Sequence, residues 1–372
     1  MLRQLRREDY TVGWICALPV ELAAAQEMLD KEHADLDRDP NDNDNDENLY
    51  TLGSIGGHNI VIVCLPAGWI GNNPAAAVAT QMRATFKELR FGLMVGIGGG
   101  VPSKEVDIRL GDVVVSQPNN TFSGVVQYDM GKSTPSGFER TGSLNSPPQI
   151  LLAAVNKIRA NELRGRSRTF KHVTQLGRIP EFHRSKTGPD ILFKAAYDHK
   201  GGQTCNTCST DRQETRQPRD NKEEIVVYYG TIASGNQVMR NATERDKVSA
   251  ELGGVLCFEM EAAGLMNNFP CLVIRGICDY ADSHKNKRWQ AYAAGTAAAW
   301  AKELLSVIPE TEVIRTNLAE EVMSSASSQY SKWFRFGSAS MLILQQSVAP
   351  KLLQTFLLSA GKLTFLTTPK TA

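Results

Sequence analysis

The chain alternates short apolar runs with stretches whose apolar residues recur at helical spacing, the order expected of an α/β protein. Residues 12–18 form an apolar run ending at Pro19, after which Val20, Ala23, Ala24, Met28 and Leu29 follow a helical period. Proline is tolerated in a first helical turn, so this segment predicts strand, tight turn and helix, with Glu21 in the first turn, close to the strand's carboxyl end. Residues 59–65 predict a buried strand, 67–71 a turn and 74–89 an alanine-rich helix. Residues 91–100 predict a strand that runs into Gly98, Gly99 and Gly100, where backbone amides can approach a ligand closely. No helix opens after these glycines, which argues against a dinucleotide fingerprint. Residues 110–116 and 225–235 predict further strands and 150–163 a helix; a closing helix over 289–307 places Tyr292, Thr296, Trp300 and Leu304 on one stripe.

Between these elements the pattern loosens in three places. Residues 33–47 are crowded with Asp and Asn and predict a solvated loop. No register there supplies the ligand spacing of a calcium loop. Residues 164–222 predict a polar, basic insertion rather than a second core. Within it Cys205-Asn-Thr-Cys208 has the spacing of half a zinc site, with His199 the nearest further donor and no second Cys or His pair behind it, so the reading is a reduced pair in a loop and no metal. The core is expected to end near Pro309, giving a catalytic domain over 1–309 and a basic extension over 310–372. From residue 322 onward there are five basic residues and no acidic one. That tail reads either as a loosely ordered extension or as a basic amphipathic segment for a membrane or a partner.

Composition narrows the compartment and the partners. The 372 residues are 42% hydrophobic with a formal net charge of +1, so no global field attracts nucleic acid or an anionic membrane. Seven cysteines, most of them in or beside apolar runs, fit reduced buried thiols. No secretory signal and no apolar stretch of membrane-spanning length is evident, so a cytoplasmic location is expected, the nucleus being an alternative.

Candidate chemistry concentrates in Val255-Leu-Cys-Phe-Glu-Met-Glu-Ala-Ala-Gly264 and Arg275-Gly-Ile-Cys-Asp-Tyr-Ala-Asp282. These segments put Glu259, Glu261, Asp279 and Asp282 at the ends of apolar runs, and carboxylates at strand ends of an α/β sheet face a ligand crevice.

Together with residues 13–22, 95–100, 110–116 and 233–239, these segments resemble the nucleoside phosphorylase and nucleosidase superfamily, which includes purine nucleoside phosphorylases and methylthioadenosine/S-adenosylhomocysteine nucleosidases. The resemblance spans residues 10 to 308 and is closest to fungal proteins with a phosphorylase-type domain. It implies a three-layer α/β/α sandwich around a mixed, partly barrelled sheet, a homo-oligomer, and cleavage of the N-glycosidic bond of a purine nucleoside without a cofactor. Met260 and Glu261 match the ribose-binding pair, Asp279 the acid that protonates the leaving purine, and Val238 and Met239 the segment lining the base. Gly96, Ile97, Gly98 and Glu259 complete the expected substrate-binding set, with Glu259 and Asp282 in supporting or structural roles.

The chemistry asks for such residues. Breaking the bond develops a cationic sugar and an anionic base, so ribose hydroxyls must be held and a proton delivered to the purine. Asp279 can supply it if an apolar wall raises its pKa. At the positions where the phosphorylase branch binds phosphate this chain carries Glu21, Met94 and Ile97, and Glu21 matches the water-activating residue of the nucleosidase branch. The resemblance therefore favours hydrolysis over phosphorolysis, with phosphate a co-substrate only in the second case. Arg109, Arg140 and Arg240 are the cations that would restore a phosphate site. The helix dipole is expected to favour ionised Glu21. Trp69 sits in a turn that can face the pocket, and Cys278 stands where nucleosidases carry serine, so the hydrogen bond orienting Asp279 is expected to be weak or missing. A non-catalytic nucleoside-binding module is the alternative from another class.

Overall fold

Thirteen strands fall among the described residues of the computed structural model, which are 4–36, 46–119, 121–202, 204–219 and 225–324. Eleven of them form one mixed sheet. They are β1 (Val12–Cys16), β2 (Lys31–Glu32), β3 (Tyr50–Ile55), β4 (His58–Cys64), β5 (Phe91–Gly100), β6 (Val113–Ser116), β7 (Val125–Gln127), β10 (Val227–Gly230), β11 (Ile232–Ser234), β12 (Cys257–Glu259) and β13 (Cys271–Asp279). The remaining two, β8 (Gly131–Thr134) and β9 (Gly137–Arg140), pair as a separate hairpin. The main path runs β10-β6-β13-β5-β1-β4-β3-β2, and a branch of β12, β11 and β7 joins at the carboxyl end of β5. Among the described residues the sheet stays open: β10 and β2 end the main path, and β7 ends the branch.

Alternation of side chains along the central strands builds the two cores. Val12, Trp14 and Cys16 of β1, Leu93 and Val95 of β5, and Leu272 and Ile274 of β13 face one layer. That layer contains α1 (Pro19–Glu27), α3 (Gln149–Leu163), α4 (Thr169–Leu176) and α7 (Gln290–Val307). Ile15, Met94, Cys271, Val273 and Ile277 face the other, which contains α2 (Asn72–Thr85) and α6 (Ala262–Met266). Three layers result, as the sequence implied. Two further α-helices, α5 (Ala242–Glu251) and α8 (Glu310–Ile314), complete the set among the described residues.

The structure departs from the sequence reading where chain propensity is weak. The regular stretch over 225–235 forms two strands, β10 and β11, because the chain leaves β6 at Gly230 and pairs with β7 and β12 from Ile232 on. The insertion is not wholly peripheral: Val173, Leu176 and Phe182 are buried in the same core as α7. The compact unit runs from Met1 to Glu321, with Val313 and Ala319 fully buried beyond Pro309. The Asp/Asn-rich stretch at 37–45 and the tail from 325 lie outside the described residues. Among the described residues no helix is long and apolar enough to cross a membrane.

The packing of α7 on β13 depends on Gly276, whose added Cβ would run into the backbone carbonyl of Ala293. Backbone cannot rotate away as a side chain can. Gly276→Ala is therefore expected to destabilise the fold by ~1–3 kcal/mol or more, read as a lower denaturant midpoint; an unchanged midpoint would show that α7 has slack against the sheet.

Candidate active site

β1, β5 and β13 are mutually parallel, so their carboxyl ends open on one side of the sheet. There a cavity of about 450 Å³ is lined by Glu21, Ile97, Gly98, Val238, Met239, Glu259, Met260, Glu261 and Asp279, among others. Three acids far apart in sequence, Glu21, Glu261 and Asp279, thus share one wall system. Gly96 lies beneath it rather than along it: a Cβ there would collide with Glu21 Oε1 and Arg275 Nη1, so the glycine makes room for that pair.

Glu21 is fixed by its own strand-to-helix turn. Its Oε2 accepts from the backbone N–H of Ala17 (2.7 Å) and Leu18 (3.0 Å), the reach-back of a third-position glutamate, and Oε1 accepts from Ile97 N–H (2.8 Å). Burial nevertheless raises its pKa, against the pull of Arg275 and the three amides. The expectation that the helix terminus would dominate and favour the ionised form is therefore corrected, because desolvation is the larger effect.

Arg275 is the residue the sequence reading passed over. Fully buried in β13, its guanidinium pairs with Glu259 and, at 3.3 Å, with Glu261. Glu259 also accepts from the backbone N–H of Glu261 (3.2 Å) and of Ala262 (3.0 Å), at the start of α6. Glu261 is left with Arg275 and a long bond from Gly71 N–H (3.4 Å). Burial pushes its carboxyl up to about 7, Arg275 opposing and Glu259 and Glu21 assisting.

Asp279 ends β13, where its Oδ1 accepts from Ala281 N–H (2.8 Å). Cys278 Sγ lies 3.2 Å from Oδ2, so the side-chain hydrogen bond expected to be weak or missing is present, donated by a thiol. Lys285 Nζ stands 3.3 Å from Oδ1. Lys285 and Lys287 both line the cavity, and so do Phe258 and Ile70. A basic run at 284–288 directly after the acidic motif was the available signal for the lysines. Asp282 turns inward to its own loop, accepting from His284 N–H at 2.9 Å.

Other expected neighbours are elsewhere. Trp69 is 61% exposed and does not line the cavity; Ile70 takes that place. Arg109 pairs with Asp107, and Arg140 stacks on Phe122 with 5.0 Å to the ring centroid, both away from the site. Met94 is core. Arg240 lines an adjoining cavity of about 810 Å³ together with Lys285, Lys287 and Arg288.

With this geometry in view, the comparisons place the chain. A sequence model of the phosphorylase superfamily matches residues 11–310, and the chain belongs to that family. It is 50% identical over 306 residues to a nucleotide-binding leucine-rich repeat (NLR)-like protein of Hyaloscypha variabilis, covering 82% of this chain and 30% of that one. It is 26% identical over 289 residues to the ATP nucleosidase Cap17 of Escherichia coli, covering 76% of this chain and 48% of that one. The chain thus spans less than half the length of either relative. Its fold matches a 5′-methylthioadenosine/S-adenosylhomocysteine nucleosidase from S. pneumoniae solved with a transition-state inhibitor, at TM-score 0.51 and 17% identity, covering 80% of this chain and all of that one.

Two outcomes follow from the electrostatics. Arg275→Met strands Glu259 and Glu261 without their counter-charge and is expected to cost ~3–5 kcal/mol in denaturant unfolding; a loss of ~1 kcal/mol, typical of a surface pair, would show that the cluster does not depend on it. Glu261 binds its proton more tightly folded (about 7) than at its ordinary 4.5, so wild-type stability should fall as pH rises between those values and level off above. Glu261→Gln should make that slope shallower, Glu21 keeping its own share; identical pH profiles for both proteins would refute the raised pKa.

Proposed function

We propose that the protein hydrolyses the N-glycosidic bond of a purine nucleoside or nucleotide. The observation that carries this reading is the convergence of Glu21, Glu261 and Asp279 on one cavity. Membership of the phosphorylase superfamily and the nucleosidase names of its relatives support it.

In this mechanism Glu261 and Met260 hold the ribose, and the negative excess around Arg275 stabilises the positive charge that develops on the sugar. Glu21 takes a proton from the attacking water; a carboxylate made more basic by burial is better suited to that step. Phe258, Val238, Met239 and Ile70 offer an apolar wall to the base. The leaving purine receives its proton from the Asp279–Lys285 pair. Water rather than phosphate is favoured because a carboxylate, Glu21, occupies the acceptor end of the cavity.

A specific observation bears on the substrate. The adjoining cavity shares Lys285 and Lys287 with the site and adds Arg240 and Arg288, a set of cations suited to phosphate groups. This favours a substrate that carries phosphates, in line with the ATP nucleosidase among the relatives.

The test is base release from adenosine, inosine, guanosine, methylthioadenosine and ATP, with and without inorganic phosphate. Release without phosphate is expected, with ATP turned over at lower KM than adenosine and Lys287→Ala removing that preference. Glu21→Gln and Asp279→Asn should each lower kcat by ~100-fold or more. Release that requires phosphate would make the enzyme a phosphorylase, and thermal stabilisation by nucleoside without any turnover would make it a binding module.

A further inference from the structure

The Cys205–Cys208 pair does not stand alone. His199, from the far side of the loop, brings Nδ1 to 3.2 Å from Cys208 Sγ and 3.9 Å from Cys205 Sγ, and all three donor atoms lie within 4.8 Å of one another. Zinc bonds of ~2.3 Å to sulfur and ~2.0 Å to nitrogen in a tetrahedron imply a donor separation of roughly 3.5 Å. The observed spacings bracket that value. A single 3-10 turn, Cys205–Thr207, closed by Cys208 N–H to the Cys205 carbonyl (3.0 Å), folds both thiols to the same place.

Two further observations point to a metal. His199 Nε2 lies 3.1 Å from the Gly202 carbonyl; with the proton on Nε2, the Nδ1 lone pair is left facing the sulfurs, the tautomer lock common to metal-bound histidines. Beside it His284 is 8% exposed, and neither of its ring nitrogens makes a hydrogen bond, although Asp282 Oδ2 lies 3.6 Å from Nδ1. Its ring stacks on Phe193 at 4.0 Å and stands edge-on to His199 at 5.6 Å. That leaves Nε2 without a polar partner, and a buried ring nitrogen of this kind is costly unless something absent from the protein atoms satisfies it.

We propose that His199, Cys205 and Cys208 bind a zinc ion as a structural clamp, with His284, from the neighbouring segment, taking its fourth position. Thiolate and imidazole ligands select zinc over magnesium, calcium or manganese. Binding displaces the two thiol protons to solvent and joins the 199–208 loop to the 282–285 segment, which it already meets through His199 N–H to Ser283 Oγ (3.0 Å) and Cys205 Sγ against the His284 carbonyl (3.7 Å). The clamp therefore secures the segment that carries Lys285 without touching the reacting atoms, and it stands whatever substrate the site takes.

The test uses the full chain purified under reducing conditions. Elemental mass spectrometry is expected to find about one zinc per chain, cobalt(II) exchange to give thiolate-to-cobalt charge-transfer absorption, and a thiol reagent to reach Cys205 and Cys208 only after chelation. Cys205→Ser and Cys208→Ser should each lose the metal and the cobalt spectrum, and His284→Ala should weaken affinity ~10-fold or more. Should a variant fail to fold, chelator titration of the wild-type chain, followed by melting temperature and thiol reactivity, carries the test. Zinc content unchanged in the cysteine variants, a chain that takes up no zinc or cobalt while its thiols react freely, or a Cys205–Cys208 disulfide under these conditions would each overturn the proposal.

Discussion

The guanidinium of Arg275 is the constraint on which the candidate site is built. A lone cation in the middle of a sheet would be prohibitively desolvated, and three buried carboxylates without it would repel one another apart. Arg275 pairs directly with Glu259 and Glu261, and Glu21 approaches its Nη1 through the gap that Gly96 leaves. One positive charge cannot balance three negative ones. Burial lifts the pKa of Glu21 and Glu261 in this acid-rich cluster, while Arg275 holds both from rising further. The acids are thus a coupled set whose protonation responds to anything positive placed beside them, and a sugar developing oxocarbenium character is such a charge.

Much of this was legible from residue order. The strands over β1, β4, β5 and β6, the helices α1, α3 and α7, and the cavity positions of Glu21, Glu261 and Asp279 all follow from apolar periodicity and from the motifs. What was not legible depends on partners distant in sequence. Short strands such as β7, β11 and β12 carry little periodic signal and exist because they pair with one another. Arg275 was visible in its motif, but nothing local says that an arginine in a strand will point at two glutamates from another strand and its following turn. Burial against dipole at Glu21 was not legible either: desolvation raises its pKa even though Ile97 and Arg275, from two other strands, both pull it down.

Lys285 shows the same limit from the other side. Residues 284–288 read as an ordinary basic surface run, yet the chain reverses after Asp279, with Ala281 in the left-handed region at φ 51°, and Lys285 returns to its carboxylate. A strained non-glycine residue two positions after the proposed acid marks the turn as fixed by its surroundings rather than by local preference. Lys285 and Lys287 then serve two cavities at once, one that holds the acids and one whose lining includes Arg240 and Arg288 and no carboxylate.

Parallel strand direction explains why such distant residues meet at all. Register sets Trp14 beside Leu93, Leu93 beside Leu272 and Ile97 beside Gly276, so the chain leaves β1, β5 and β13 on the same side of the sheet. Each exit then contributes differently: β1 turns into a helix that aims Glu21, β5 continues as glycine-rich backbone whose amide meets that carboxylate, and β13 ends in Asp279. The strand ends supply position, and the acids occupy it. Because β12 joins antiparallel at Gly99 and Gly100, Glu259 and Glu261 arrive from the opposite direction and close the crevice over Arg275. A purely parallel sheet would leave that side open, so the antiparallel branch is what gives a row of strand ends its second wall and buries Glu259 and Glu261 where carboxylate pKa values can be moved.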